Sequence, residues 1–170
     1  VMCAAVFSGC SVIDSIKGAV SGEPEKTPEE LREDWLLSVK DKTVETVDGV
    51  EAQQNSEWNE QYTLWTAYPV VTDKATISAE LEQYANSKIE EFKSYASQQA
   101  AANEKYKGSF ELTYKPYTYG DSVISFKFTA TTDGTSTEVK TFVYNLADET
   151  TVTVENIFNS ESDYLTTLSN

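Results

Sequence analysis

QYTLWTAYPVVTDKATISAELEQYANSKIEEFKSYASQQAAAN, residues 61–103, decides the fold. Its opening, Gln61 to Val71, is rich in aromatic and β-branched side chains and reads as a strand. Pro69 has no N–H to give a neighbouring ladder, so it suggests an edge position or the strand end. The period then changes. Ile77, Leu81, Tyr84, Ala85, Ile89, Phe92, Ala96 and Ala100 recur in steps of three and four, which predicts one amphipathic helix over about 78–103. Lys88, Glu90, Glu91, Lys93 and Gln98 fall mostly on its other side. Such an apolar stripe must pack on something, and a sheet is the available partner.

Towards the C-terminus the pattern is strand after strand. Ser109 to Tyr119 alternates Phe110, Leu112 and Tyr114; Ser122 to Thr131 alternates Ile124, Phe126, Phe128 and Ala130. Gly120-Asp121 joins them as a tight turn, and Asp133-Gly134, a favoured hairpin dipeptide, leads to a third strand over Thr137 to Leu146. Short connections make these three an antiparallel meander. A short strand at Thr151 to Val154 and a helix from about Glu161 follow. Towards the N-terminus, 43–60 carries Glu45, Asp48, Glu51, Glu57 and Glu60 without a base. Asp48-Gly49 and the Gln/Asn/Ser run predict a mostly irregular segment there. Thr27-Pro28-Glu29-Glu30 reads as a helix start, with Leu31, Trp35, Leu36 and Val39 as the apolar side of a helix over about 28–41. The fold class expected is α+β: an antiparallel sheet of about four to five strands packed against one long helix, with short flanking helices on the same face. A single domain is expected over 27–170, continuing past residue 170.

The composition bounds function. Hydrophobic residues make up 39% and aromatics 12% of 170 residues, a globular rather than disordered balance. The net charge of −15 repels phosphate and argues against a nucleic-acid partner, while it would attract a cationic one. The chain has no histidine, which removes Ser-His-Asp and Cys-His catalysis and histidine-ligated zinc. Its two cysteines, Cys3 and Cys10, both lie in the first ten residues. No cofactor is expected.

Val1 to Gly9 (VMCAAVFSG) is uncharged and mostly apolar and reads as the end of a signal peptide. Val6-Phe7-Ser8-Gly9-Cys10 resembles the lipobox of bacterial lipoproteins. The resemblance implies lipidation of the Cys10 thiol, cleavage before it, and an extracytoplasmic domain anchored to the membrane through that lipid. Residues 10–26, with Gly18, Gly22 and Pro24, would be the lipidated N-terminus and a flexible tether.

Tyr68-Pro69-Val70-Val71, Ser122-Val123-Ile124-Ser125-Phe126, Thr141-Phe142-Val143-Tyr144-Asn145-Leu146 and Val152-Thr153-Val154-Glu155-Asn156-Ile157-Phe158 occur in that order. This order resembles the extracytoplasmic domain of unknown function that precedes peptidoglycan deacetylase domains, the type that also forms the lysozyme-binding ectodomain of RsiV anti-sigma factors. It covers roughly 60–170 and implies a fold and an envelope setting, with no active site carried over. The family often has a Gly-Gly-Ala-His-like turn; here the turn is Thr132-Asp133-Gly134-Thr135-Ser136-Thr137, without His.

Glu90 and Glu91 are adjacent on a helix and point about 100° apart, a poor acid/base pair. No phosphate-cradling glycine loop is present. Tyr114, Tyr117 and Tyr119, near a hairpin with Lys115 and Pro116, are the candidate ligand contacts, because tyrosines at a sheet end stack on sugars or anchor protein partners. The expectation is a non-catalytic envelope lipoprotein that binds a cell-wall glycan or a cationic protein such as lysozyme. The alternative is the accessory N-terminal domain of a peptidoglycan or polysaccharide deacetylase.

Overall fold

The computed structural model describes residues 26–153. In chain order these form α1 (Pro28–Lys40), β1 (Val50–Trp58), β2 (Tyr62–Val71), α2 (Ala75–Ala102), β3 (Gly108–Tyr119), β4 (Val123–Thr132), β5 (Ser136–Asn145) and β6 (Thr150–Thr151). The strands make one open sheet of six in sequential order β1-β2-β3-β4-β5-β6. Every pair is antiparallel except β2 with β3, which α2 joins as a parallel crossover. The fold is α+β as expected, with more strands than the four to five counted. The helix expected from Glu161 lies outside the described residues, as does most of the tether.

β1 is the strand missing from the sequence reading, which left 43–60 mostly irregular. Gln53, Gln54, Asn55 and Ser56 show no apolar alternation because β1 is an edge strand exposed along most of its length. It is held by its ladder with β2, from Val50↔Val71 to Trp58↔Thr63. The turn between them is made by Asn59, whose side-chain carbonyl accepts from the Gln61 N–H (2.8 Å) and the Tyr62 N–H (2.9 Å).

Pro69 is not at an edge, because β2 lies between β1 and β3. Its tolerance follows from which side its missing N–H faces. Thr72 N–H donates to the Gly49 carbonyl and Asn59 N–H to the Tyr62 carbonyl, so the even-numbered amides of β2 face β1 and the odd-numbered ones face β3. Gly108 N–H donates to the Gln61 carbonyl, so the even-numbered amides of β3 face β2. The parallel register runs only from Tyr62↔Gly108 to Thr66↔Leu112. Continued, its rungs would include Pro69 N to the Tyr114 carbonyl and Pro116 N to the Pro69 carbonyl, and neither proline has a proton to give. Two prolines on confronting edges thus end the ladder and part the strands. Beyond the parting, the Ser78 hydroxyl replaces β3: it accepts from Val71 N–H (2.9 Å) and donates to Val71 C=O (3.2 Å).

α2 lies on the face carrying the even-numbered residues of β2 to β5. Its buried positions Ile77, Leu81, Ala85, Ile89, Phe92 and Ala96 follow the steps of three and four read from the sequence. Phe92 stacks on Phe110 (5.0 Å) and meets Tyr62 edge-on (5.4 Å); Tyr84 meets Phe128 (5.0 Å) and Phe142 (5.1 Å). Phe92, Phe110 and Phe128 are buried, and each such ring contributes about 1.5–3 kcal/mol. α2 has no side-chain cap of its own; the Glu149 carboxylate, from the β5–β6 turn, accepts from Thr76 N–H (3.1 Å). α1 has the full capping box of Thr27 and Glu30. It packs on the opposite face from α2, not on the same face as expected. Val50, Trp65, Ala67, Pro69 and Val71 put a second apolar surface there, over β1 and β2. Val39 and the Lys42 ammonium, 4.7 Å above the Trp65 ring, cover part of it.

Candidate functional site

The strand alternation separates the three tyrosines. Tyr114 is on the α2 face, 4% exposed, with its ring 6.0 Å from Phe126 and 6.1 Å from Phe128. Its hydroxyl is buried without a hydrogen-bond partner among the described residues, and burial pushes its pKa up to about 12. Tyr117 and Tyr119 point to the other face, 47% and 83% exposed. Two residues apart on one strand, they share a face; three apart, Tyr114 and Tyr117 cannot.

Among the described residues that other face stays open over β4, β5 and the Tyr117–Tyr119 end of β3; α1 covers the β1–β2 side, and the segment after it reaches over the start of β3 through Lys42 to Glu111 and Glu45 to Lys115. The register writes its rows: Thr113-Thr129-Val139, Lys115-Lys127-Thr141, Tyr117-Ser125-Val143 and Tyr119-Val123-Asn145. It is therefore a broad strand-built surface of four hydroxyls, two phenol rings, two ammonium groups, three valines and Asn145, on a chain whose overall charge is −15. The Lys115 ammonium lies 5.7 Å from the Tyr117 ring and 3.3 Å from Glu45. Lys127 makes no ion pair among the described residues.

On the α2 face a groove of about 290 Å³ runs between α2 and β3–β5, over Phe92, Phe110 and Ala130. Its charges are spent on one another. Lys88 bridges Glu91 (2.8 Å) and Glu138 (2.9 Å), and these hydrogen bonds hold its pKa above the ordinary lysine value. At the groove's end the β4–β5 turn has Asp133 and Gly134 both at positive φ (52° and 66°), the type I′ geometry the dipeptide predicts. The Asp133 carboxylate accepts from Ser109 N–H (2.9 Å), Tyr106 hydroxyl (3.1 Å) and Tyr95 hydroxyl (3.3 Å). It is a latch between the turn, α2 and the start of β3. Burial, then Asp133 itself, raises the Tyr106 pKa.

A third surface was not foreseen. Pro28, Leu31 and Trp35, in steps of three and four on α1, face the cross-strand pair Trp58 and Thr63 across a cavity of about 370 Å³. Asn59, Glu60 and Lys107 complete it. The signal was present only in part: Leu31 and Trp35 mark an apolar helix side, but Trp58 ended a segment without readable periodicity.

Cys10 lies outside the described residues. Among the described residues no group of three His, Cys, Asp or Glu side chains could hold a metal ion, and no helix is long and apolar enough to cross a membrane.

No family model matches the sequence, and no curated protein matches it. Among solved structures the fold is similar to that of a DUF3298 family protein from Pseudomonas aeruginosa PAO1, with a TM-score of 0.51 at 10% identity over 70% of this chain. A DUF3298 family member from Bacteroides fragilis NCTC 9343 matches with a TM-score of 0.38 at 15% identity, also over 70% of this chain. The chain spans 61% of the first protein and 64% of the second, less than two thirds of either.

Proposed function

We propose that this chain is the extracytoplasmic, non-catalytic part of a cell-envelope lipoprotein, anchored through Cys10, whose open β3–β5 face binds a cell-wall glycan. The observation that carries this reading is the pair Tyr117 and Tyr119, exposed two residues apart on one face, with Ser125 and Asn145 in their rows and Lys115, Lys127 and Thr141 in the next. A sugar ring has apolar C–H faces and a hydroxyl rim, so it suits a surface that alternates aromatic rings with threonine and lysine donors. A pull-down on purified peptidoglycan sacculi tests it. Wild-type protein should sediment with sacculi and Tyr117→Ala/Tyr119→Ala should remain in solution; equal sedimentation of both would refute the site. Cys10→Ser should release the full-length protein from the membrane fraction, and retention there would refute the anchor.

The charge of −15 favours a second reading, capture of a cationic protein such as lysozyme. Its signature is different: lysozyme binding should fall steeply with added salt, and the tyrosine substitutions should leave it unchanged. A role as accessory domain to a deacetylase is compatible with the glycan reading, since the chain would then hold the envelope polymer for a separate catalytic domain.

A further inference from the structure

We propose that β1 is a self-association edge: two copies of this chain pair antiparallel along it, about a dyad at Asn55, to make one continuous sheet. The inference does not rest on the glycan reading.

The β1–β2 ladder fixes which backbone groups of β1 are free. Thr72 N–H donates to the Gly49 carbonyl and Asn59 N–H to the Tyr62 carbonyl, so the odd-numbered residues of β1 bond to β2 and the even-numbered ones face outward. Among the described residues nothing pairs with the outward N–H and C=O groups of Ala52, Gln54, Ser56 and Trp58. Sheet edges of soluble proteins are ordinarily blunted by proline, lysine, a bulge or very short length. The opposite edge is treated so: β6 covers the end of β5, and Glu138 and Lys140 stand along the rest. β1 runs nine residues in unbroken register, without proline or lysine, and from Ala52 to Ser56 without a charge. A basic extended peptide would suit the acidic chain as a whole, but over those five positions the edge offers it no carboxylate.

A second copy fits in one register. Even-numbered residues must oppose even-numbered ones for their N–H and C=O groups to meet. A dyad at Gln54 sets Glu51 against the second copy's Glu57, like charges directly opposite. One at Gln53 calls on Val50 N–H, which is already given to the Val47 carbonyl. A dyad at Asn55 avoids both. It pairs Gln54 with Ser56 and Ala52 with Trp58, a small side chain beside a large ring, on the α1 face. On the other face Glu57, held by Lys93 (2.8 Å), meets the neutral amide of Gln53. Leu36, 37% exposed, lines a groove with Gln54, Asn55 and Ser56. The same dyad lays that groove against its copy, so apolar surface is covered as the strands join.

The test is sedimentation equilibrium of the full chain carrying Cys3→Ser/Cys10→Ser, which removes both native thiols. A monomer–dimer equilibrium is expected, and added salt should strengthen it, because each copy carries a net charge of −15. Gln54→Pro deletes an outward N–H and spares the ladder to β2, so it should weaken dimerisation at least tenfold while thermal melts at low protein concentration report the fold intact. In the same background Asn55→Cys should oxidise readily to a disulfide-linked dimer, because the residue on the dyad meets its own copy; Gln53→Cys, which faces Glu57 instead, should not. A chain that stays monomeric up to millimolar concentration, undiminished dimerisation of folded Gln54→Pro, or Asn55→Cys crosslinking no faster than Gln53→Cys overturns the proposal. A monomer that binds an extended oligolysine peptide, and loses it in Gln54→Pro, would give the edge to a basic strand and equally reject the dimer.

Discussion

Removing the Asp133 carboxylate should cost the fold more than its half-exposed position in a turn suggests. In Asp133→Ala three hydrogen bonds disappear, and they are not equal. The bond from Ser109 N–H at 2.9 Å is charge-assisted and is worth about 1.5 kcal/mol. The Tyr106 hydroxyl, part-buried and 3.1 Å away, adds about 1 kcal/mol. Tyr95 is more exposed and its hydroxyl 3.3 Å distant, so it is discounted to about zero. The backbone adds a further cost. Asp133 sits at φ 52°, where alanine is disfavoured by about 1 kcal/mol and asparagine is tolerated. The sum for Asp133→Ala is about 3.5 kcal/mol, or roughly a 10 °C fall in melting temperature at this chain length. Asp133→Asn keeps an acceptor and the backbone preference and should lose only about 1 kcal/mol. Circular dichroism melts of the two variants beside wild type decide it. Equal melting temperatures for alanine and wild type would refute the latch, and equal losses for alanine and asparagine would refute the division into contacts and strain.

Glu149→Ala should lower stability by about 1 kcal/mol, measured by urea titration, because it uncaps α2 at Thr76 N–H; an unchanged midpoint would show that the long helix needs no such cap. Tyr114→Phe removes a buried hydroxyl that has no partner among the described residues and should be neutral or stabilising by up to about 1 kcal/mol, with sacculus binding unchanged. A loss of stability there would mean that the hydroxyl is satisfied after all. Phe128→Ala, at a fully buried ring touching Tyr84, Tyr114 and Phe142, should cost about 3–5 kcal/mol by chemical denaturation. Alkali should unfold the protein through its phenols. Burial raises Tyr106, Tyr114 and Tyr144 above the ordinary value of 10.0, with Asp133 beside Tyr106 and Glu80 beside Tyr144 adding to it. A raised folded pKa means stability is complete below pH 10 and is lost as the pH climbs through the folded values. Denaturation midpoints that stay flat from pH 9 to pH 12 would contradict this.

What the sequence disclosed follows from where the physics is local. The periodicity of Ile77 to Ala96 and the alternation in β3 and β4 are direct imprints of one buried face, so these elements were legible. Asp133-Gly134 was legible because both residues sit at positive φ. β1 was not, because an exposed edge strand carries no apolar code. The Asn59 side chain that shapes its turn is a short-range signal that can be read from sequence. Pro69, read as an edge position or the strand end, lies within a strand paired on both sides, and its missing donor faces a second proline that is distant in sequence. The three tyrosines were grouped by proximity along the chain, whereas strand alternation alone separates Tyr114 from Tyr117 and Tyr119. The cavity between Trp35 and Trp58 depends on α1 crossing to the second face, which no local pattern encodes.

The facing prolines also divide the molecule mechanically. The β1–β2 hairpin and the β3–β6 meander are bridged in the sheet by only five paired positions, Tyr62↔Gly108 to Thr66↔Leu112, with α2 strung between them as a splint. The meander's ladders join close neighbours in sequence, while the bridge must wait for the whole crossover helix to fold back. Amide hydrogen exchange should therefore find the Gly108, Phe110 and Leu112 protons opening together as one unit, ahead of the central amides of β4. The bridge would then be a hinge that closes last and opens first, and its slack end is the parting between Pro69 and Pro116.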